Sequence, residues 1–479
     1  MTDSGPPSAA GPTATAQIDL AGEFEPSTWE QWLHTAAKAL KRDLGPDDDP
    51  AAVVAKLRST TYDGIVIEPL YTAEHHAASA APGLPGTAPL VRGRTAAATR
   101  EHGWDVRQRV IAGSDGPSAL DELECGATSV WLDVTRLDPA DPVAFTAALS
   151  SALDGVLFDL AGVVLDAGER WAEAARPLIQ LWRSSPDLAA VTGNLGADPI
   201  GELAERGGND ASDAFAAAIE LVRVVQTDLA GVRVFAVDAT RYHDAGATDA
   251  DELALGIAAG LATVRAMADA GIDLDTAFAQ IEFRLAATAD QFATIAKFRA
   301  ARRLWSRIAE VCGVAEAAAS TPLHAVTSRA MMSRHDPWVN LLRGTTACFG
   351  AGVGGADAIT VLPYDEFLGG EGGSELGRRI ARNTQSILAK ESNLARVIDP
   401  GGGSWFVESF TAQLAEAAWQ RFQQIEGAGG IVAAIADGSV AAGLDAAWQA
   451  RRKNLVTRRD PLTGVSEFPN VMEAPVDIE

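Results

Sequence analysis

The spacing of apolar residues changes along this chain, and the changes separate an N-terminal arm from a long repeating body. Residues 1–22 show no period; Ser, Pro, Gly, Ala and Thr dominate, a composition that predicts a disordered tail. From Trp29 onward, Trp29, Trp32, Leu33, Ala36 and Leu40 recur at helical spacing, with Ser27 or Thr28 placed to cap the helix. A Pro-containing acidic break from Gly45 to Pro50 leads into a second helical stretch holding Val53, Val54 and Leu57. The following residues, 65–72, read as an extended segment. Residues 23–90 are therefore assigned to an arm, and residues 91–479 to one body.

In the body, short apolar runs alternate with longer Ala-rich helical patterns. The expected strands are 129–134, 155–160, 188–192, 232–237, 281–285, 323–327 and 358–362, with one more near 107–111. The helical stretches between them are long enough for parallel crossovers. About eight strands in unbroken β/α alternation predict a (β/α)8 TIM barrel rather than an open doubly wound sheet. A Rossmann sheet would need its glycine-rich turn at the first helix. Gly350–Gly355 lies deep in the body and leads into a strand, so it reads as a tight loop rather than a phosphate cradle.

Composition narrows the function. Apolar residues make up 47% of 479, enough for a sizeable core. A net charge of −25 disfavours nucleic acid and anionic membrane as partners. Cys125, Cys312 and Cys348 are odd in number, far apart and outside any metal-ligand spacing, which predicts free thiols, no metal site and a reducing, cytoplasmic setting. No apolar run is long enough for a spanning helix, and no signal peptide is recognisable.

One string is far more specific than composition. Arg379-Ile380-Ala381-Arg382-Asn383-Thr384-Gln385 continues through Lys390-Glu391 and Arg396 to Asp399-Pro400 and Gly402-Gly403-Ser404. It resembles the signature of the methylmalonyl-CoA mutase family, the adenosylcobalamin-dependent acyl-CoA mutases, with Lys390 where the family usually has a second acid. The resemblance extends over roughly residues 25 to 475. It includes the PLYT string at Pro69–Thr72, which in the family ends an arm embracing a partner subunit. Further resemblances are Arg92-Gly93 with Trp104-x-x-Arg107-Gln108, the segment 281–305, Asp336-Pro337-x-x-Asn340-x-x-Arg343-x-Thr345, and Arg458–Asn470 at the end of the family's mutase domain. Within the signature, Arg379, Arg382, Asn383, Asp399 and Ser404 are expected to be structural, holding carbonyls and a carboxylate around the DP-x-GGS bend. In the segment 281–305, Lys297, Arg299, Arg302 and Arg303 line one side of a helix. The plainer reading is a solvated charged side; the sharper one is a basic surface for a subunit or CoA phosphate.

The motifs that carry the family's chemistry are eroded. By the resemblance, Thr99 takes the place of the active-site Tyr, Val326 that of a Gln and Ala330 that of a Trp. The family's THRG and TIQND segments have no counterpart, and residues 193–198 read as a generic Gly/Asp loop. His243 falls on the position of the histidine that holds the thioester carbonyl, just after an expected strand, but two residues are deleted around it. It is kept as a vestigial catalytic candidate. No DxHxxG cobalamin motif is present; His243 gives only RxHxxG. The chain ends at Glu479, so a C-terminal cobalamin-type domain is expected to be absent.

Retained scaffold with eroded chemistry resembles the small, non-catalytic subunit of a heterodimeric methylmalonyl-CoA mutase. It would stabilise a larger catalytic subunit that holds adenosylcobalamin and the acyl-CoA, while binding no cofactor by itself. Two alternatives stay open. One is a catalytic large subunit of a related acyl-CoA mutase with a separate cobalamin chain; the other is a scaffold or assembly protein without a mutase partner.

Overall fold

The computed structural model describes residues 27–40, 50–77, 82–95, 103–114, 116–138, 141–316, 318–368 and 372–473, the side chains of 50, 51, 76 and 77 excepted. The expected tail (1–22), the break at 45–49 and Thr99 lie outside these residues. The chain divides into two compact units, Met1–Ser59 with Val66–Leu70, and Thr60–Ile65 with Tyr71–Glu479.

In the first unit the helix Trp29–Ala39 begins at a reciprocal cap. Thr28 Oγ1 accepts from Gln31 N at 3.2 Å, and Gln31 Oε1 accepts from Thr28 N at 2.9 Å. Leu33 and Ala37 face inward, while Trp29 stacks on Trp32 at 4.8 Å and stays 46% exposed. The helix Pro50–Ala55 buries Val53 and Val54. Of the expected extended segment 65–72, only β2 (Val66–Ile67) is a regular strand; β1 (Ser59–Thr60) precedes it.

The second unit is built on a closed, all-parallel barrel of eight strands. These are β3 (Asp105–Ile111), β4 (Ser129–Asp133), β5 (Gly162–Asp166), β6 (Gly193–Ala197), β7 (Val232–Asp238), β8 (Ile281–Ala287), β9 (Leu323–Thr327) and β10 (Ala358–Thr360). β10 closes the ring against β3, with Ala358 opposite Asp105 and Ile359 opposite Val106. Helices cover the outside, so the strands are apolar outward and use their inward positions for something else.

Three expectations need correction. The strand placed at 155–160 is Gly162–Asp166; residues 155–160 form turns that leave Leu157 and Leu160 exposed. The strand placed at 188–192 is Gly193–Ala197, so the supposed Gly/Asp loop is itself a barrel strand. Its glycines are required by contact: a Cβ on Gly193 would lie 2.3 Å from Val163 O, and one on Gly196 2.1 Å from Leu165 O. Nor is Gly350–Gly355 a loop. It forms the end of the helix Val339–Gly354, whose glycines allow close packing: a Cβ on Gly352 would meet the Trp104 ring at 2.7 Å. Gly355, at φ +88°, ends the helix in the left-handed conformation.

Candidate functional site

In a barrel of this kind, chemistry sits where the strands end, at the C-terminal mouth. Side chains alternate inward and outward along each strand. Arg107 and Arg109, Ser129, Trp131 and Asp133, Glu282 and Arg284, and His324 and Val326 thus share the interior. Their contacts bear this out.

The lower interior layer is ionic. Arg107 donates from Nη1 to Glu282 at 2.6 Å and from Nη2 to Asp105 at 3.2 Å. Above it lies His324, fully buried. Its Nδ1 accepts from Arg284 Nε at 3.3 Å, so Nε2 carries the proton and donates to Thr360 Oγ1 at 2.8 Å. Burial foremost, then Arg107 and Arg284, hold this imidazole well below its ordinary pKa, so it stays neutral.

At the mouth, the Trp131 indole fills the centre. Arg284 lies over its ring at 4.2 Å, Arg109 at 5.6 Å, and His324 meets it edge-on at 5.6 Å. Trp131 also packs with Val164, Val326, Leu362 and Met332. Both arginines are committed: Arg109 to Asp133 at 2.5 Å and Glu366 at 3.0 Å, Arg284 to Asp238 at 2.7 Å. Burial pushes the neighbouring Asp166 carboxyl up, against the opposing pull of Arg284. Val326, at the family's Gln position, is thus part of an apolar plug.

His243 stands on the short helix Thr240–Asp244 that follows β7, and only 4% of it is exposed. Its Nε2 lies 2.7 Å from Ser328 Oγ, just past β9, and its Nδ1 lies 3.5 Å from Glu252 Oε2. Glu252 accepts from Lys297 Nζ at 2.6 Å and from Ala286 N at 2.6 Å. The histidine therefore belongs to a buried girdle joining β7, β8 and β9 to two outer helices.

On the helix Gln291–Cys312, Lys297, Arg299 and Arg302 are buried, against both readings of its charged side, while Arg303 is half-buried. Lys297 and Arg299 have no exposure and Arg302 has 4%. Lys297 pairs with Glu252 and with Asp249 at 2.9 Å; Arg302 pairs with Asp357 at 2.7 Å. Burial pulls the Lys297 ammonium down, but Asp249 and Glu252 more than offset it and hold it above its ordinary value. Other helices cover this face: Asp249–Asp269 carries the Lys297 partners, and Trp405–Gly427 carries Glu408, which pairs with Arg299 at 2.7 Å.

The signature residues do not converge on one bend. Arg382 is buried and pairs with Glu122 of the helix Ala119–Glu124. Arg379 and Asn383 lie on the exposed side of their helix, Glu375–Ser386. The bend's carboxylate, Asp399, is instead held by Arg299 and by Arg92 Nε at 3.0 Å. Ser404 caps the helix Trp405–Gly427 by accepting from Val407 N at 3.4 Å, and Gly403 N donates to Glu408 at 3.0 Å. Gln385 accepts from Trp104 Nε1 at 3.1 Å, joining two motifs far apart in sequence. Asn340 and Arg343 likewise clamp loops: Asn340 Nδ2 donates to Tyr364 O at 2.9 Å, and Arg343 Nη2 to Thr463 O at 2.7 Å.

The sequence reading missed Arg109, Trp131, Arg284 and His324. Their trace is a polar or aromatic residue at alternate positions in four runs otherwise read only as apolar strands.

Comparison with known proteins follows the same line. The family model for methylmalonyl-CoA mutase matches residues 145–479. The protein named methylmalonyl-CoA mutase small subunit from Streptomyces virginiae is 50% identical over 466 residues, which cover 96% of this chain and 74% of that one. Its namesake from Propionibacterium freudenreichii subsp. shermanii is 39% identical, covering 95% and 70%. A probable methylmalonyl-CoA mutase small subunit from Mycobacterium tuberculosis (strain ATCC 25618 / H37Rv) is 42% identical, covering 92% and 72%.

Proposed function

This chain belongs to the methylmalonyl-CoA mutase family, alongside its small subunits, and we propose that it is the non-catalytic partner in a heterodimeric mutase. A larger subunit would hold adenosylcobalamin and carry out the methylmalonyl-CoA/succinyl-CoA interconversion, an intramolecular transfer in the isomerase class. This chain would stabilise that subunit through an extensive interface.

The observation that carries the reading is the filled mouth. A thioester needs uncommitted donors at the place where charge develops. Here Arg109 and Arg284 are already paired, and Trp131 lies between them with Val326 and Leu362 against it. Cobalamin supplies a radical by homolysis of its cobalt–carbon bond, and this chain's residues do not fit it. His243, the sole match to xHxxG, lacks the orienting Asp, and its Nε2 is engaged with Ser328.

Two experiments test the proposal. The purified chain should give no turnover and no base-off cobalamin spectrum, and activity should appear only when a larger subunit is added. Turnover by the chain alone would move the chemistry here. In addition, a chain lacking residues 1–22 should still assemble with its partner, and one lacking 1–72 should not. Equal assembly of both on a sizing column would remove the arm from the interface.

A further inference from the structure

The last long helix of the second unit, Ser439–Val456, differs from the others in what it packs. None of its 18 residues is buried. By contrast, the helix Trp405–Gly427 buries Phe410, Leu414 and Phe422. Helices in proteins draw most of their stability from such a buried face. The helix is nonetheless seated against the body. A Cβ on Gly246 would lie 2.7 Å from Trp448 Cβ and 3.3 Å from Leu444 O, and Asn454 Nδ2 donates to Tyr62 Oη at 3.0 Å. What it lacks is cover: Trp448 is 40% exposed and Val456 72%.

Two further features belong to this helix. An open groove of about 400 Å³ runs beside it, lined by Ala254, Leu255, Ile425, Ala428, Val440 and Leu444. Its charged lining, Asp251 and Arg421, is already paired at 2.9 Å. Gly443 also lines it, and a Cβ there would meet nothing within 4 Å. Past the groove the helix turns cationic. Arg451, Arg452 and Lys453 are followed by Arg458 and Arg459, and Asp445 is the only acid of the helix. None of these five cations forms an ion pair among the described residues. Arg452, Lys453, Arg458 and Arg459 are exposed, and Arg451 is within electrostatic reach of Asp249 and Tyr62. Asp460, next in sequence, accepts from the Tyr62 hydroxyl. In a chain of net charge −25, this ridge is a local reversal of sign.

We infer that this helix, its groove and its cationic end form a docking surface for an acidic protein segment carrying apolar side chains, contributed by the larger subunit. The choice of partner rests on the heterodimer proposed above; the surface itself does not. An occupant has to meet two demands at once: apolar side chains for the groove and carboxylates for the unpaired cations. Nucleic acid has no such side chains, an anionic membrane has no shape to fill a groove between helices, and the chain's overall charge repels both. A protein segment meets both demands, in the way that apolar anchors are laid into a groove between helices. Its acids would meet cations at an exposed rim, where charge steers association and sets register. Docking would also give the helix the buried face that it lacks.

The test measures association of the full-length chain with the larger subunit by analytical ultracentrifugation at low and high salt. Reversing three exposed charges together, Arg452→Glu, Lys453→Glu and Arg459→Glu, should raise Kd at least about tenfold at low salt and flatten its salt dependence. Melting of that variant should stay within a few degrees of wild type, as for other surface substitutions. Gly443→Phe puts a side chain into the groove at a helical position open to it. It should also weaken association severalfold, yet melt no lower than wild type, because glycine is a poor helix residue. An unchanged Kd in either variant overturns the docking surface and leaves the heterodimer standing. A wild-type chain that does not associate at all overturns the heterodimer, and this inference with it. Coenzyme A bound by the chain alone and lost on charge reversal, with association unaltered, would make the ridge a phosphate site and overturn the docking surface too.

Discussion

The barrel mouth and the outer ring of helices use the same residue types to opposite ends. Around the 291–312 helix, the motifs shared with the family survive, and each buried cation reaches across elements: Lys297 to Glu252 and Asp249, Arg299 to Asp399 and Glu408, Arg302 to Asp357. At the mouth, where the family's catalytic motifs are eroded, Arg109 and Arg284 turn inward to strand-end aspartates and enclose Trp131. In the outer ring, then, charge fixes one helix against another. In the lumen it fills the space where a substrate would lie. If this chain is the non-catalytic partner proposed above, its lumen has given up free donors and kept a packed interior.

The largest expected effect is in the outer ring. Arg299→Ala leaves Glu408 without its cation and Asp399 with Arg92 alone in a buried site, and breaking such a pair by removing one partner costs about 3–5 kcal/mol. Urea denaturation of the full chain should show a loss of that size. A loss within error would mean that solvent reaches these carboxylates and that the ring is not closed.

The mouth should respond next. Trp131→Ala removes an aromatic ring from between two arginines, and large aromatic truncations in a core cost about 3 kcal/mol or more. Activity of the assembled complex should stay near wild type once assembly is matched. If activity falls while assembly holds, the plug has a role in chemistry that its geometry does not suggest.

Arg382→Ala is smaller in reach. Glu122 loses its closest cation but keeps Arg378 at 3.6 Å. Burial pushes that carboxyl up, and Arg382 foremost, then Arg378, hold it down. Loss of one charged hydrogen-bond partner should cost about 1–3 kcal/mol. Melting temperature or partner affinity should fall while the KM of the complex stays level; a raised KM with intact assembly would place this helix near substrate.

Much of the fold was legible because β7, β8 and β9 are short, largely apolar runs set between long helical patterns. β6 was not, because its glycines answer to Val163 O and Leu165 O, contacts that no local pattern reveals. β5 was displaced by seven residues because two similar apolar runs lie side by side and only pairing with β4 chooses between them. The charged side of the 291–312 helix was misjudged for a related reason. Periodicity separates polar from apolar faces, but whether a polar face meets water or another helix is decided by distant residues such as Glu252 and Glu408. At the site, the position of His243 was legible and its surroundings were not: Ser328 and Glu252 come from other elements, brought together only by closure of the barrel.

That histidine gives the finest test of the comparison. In a working barrel, a donor aimed at a developing oxyanion is worth roughly 10²–10³ in rate. His243 instead places Nε2 at 2.7 Å from Ser328 Oγ, inside a corner that leaves it 4% exposed. His243→Ala should therefore change turnover of the assembled complex by less than about threefold, far short of the loss expected for an oxyanion donor. Its trace should appear in stability, because a buried hydroxyl left without its partner costs about 1–3 kcal/mol. Ser328→Ala should reproduce most of that loss, and the double variant should add little, since both remove the same bond. Steady-state kinetics and melting of the three variants decide between the roles: a hundredfold fall in turnover with normal assembly would assign His243 to catalysis and make the mouth, despite its plug, a working site.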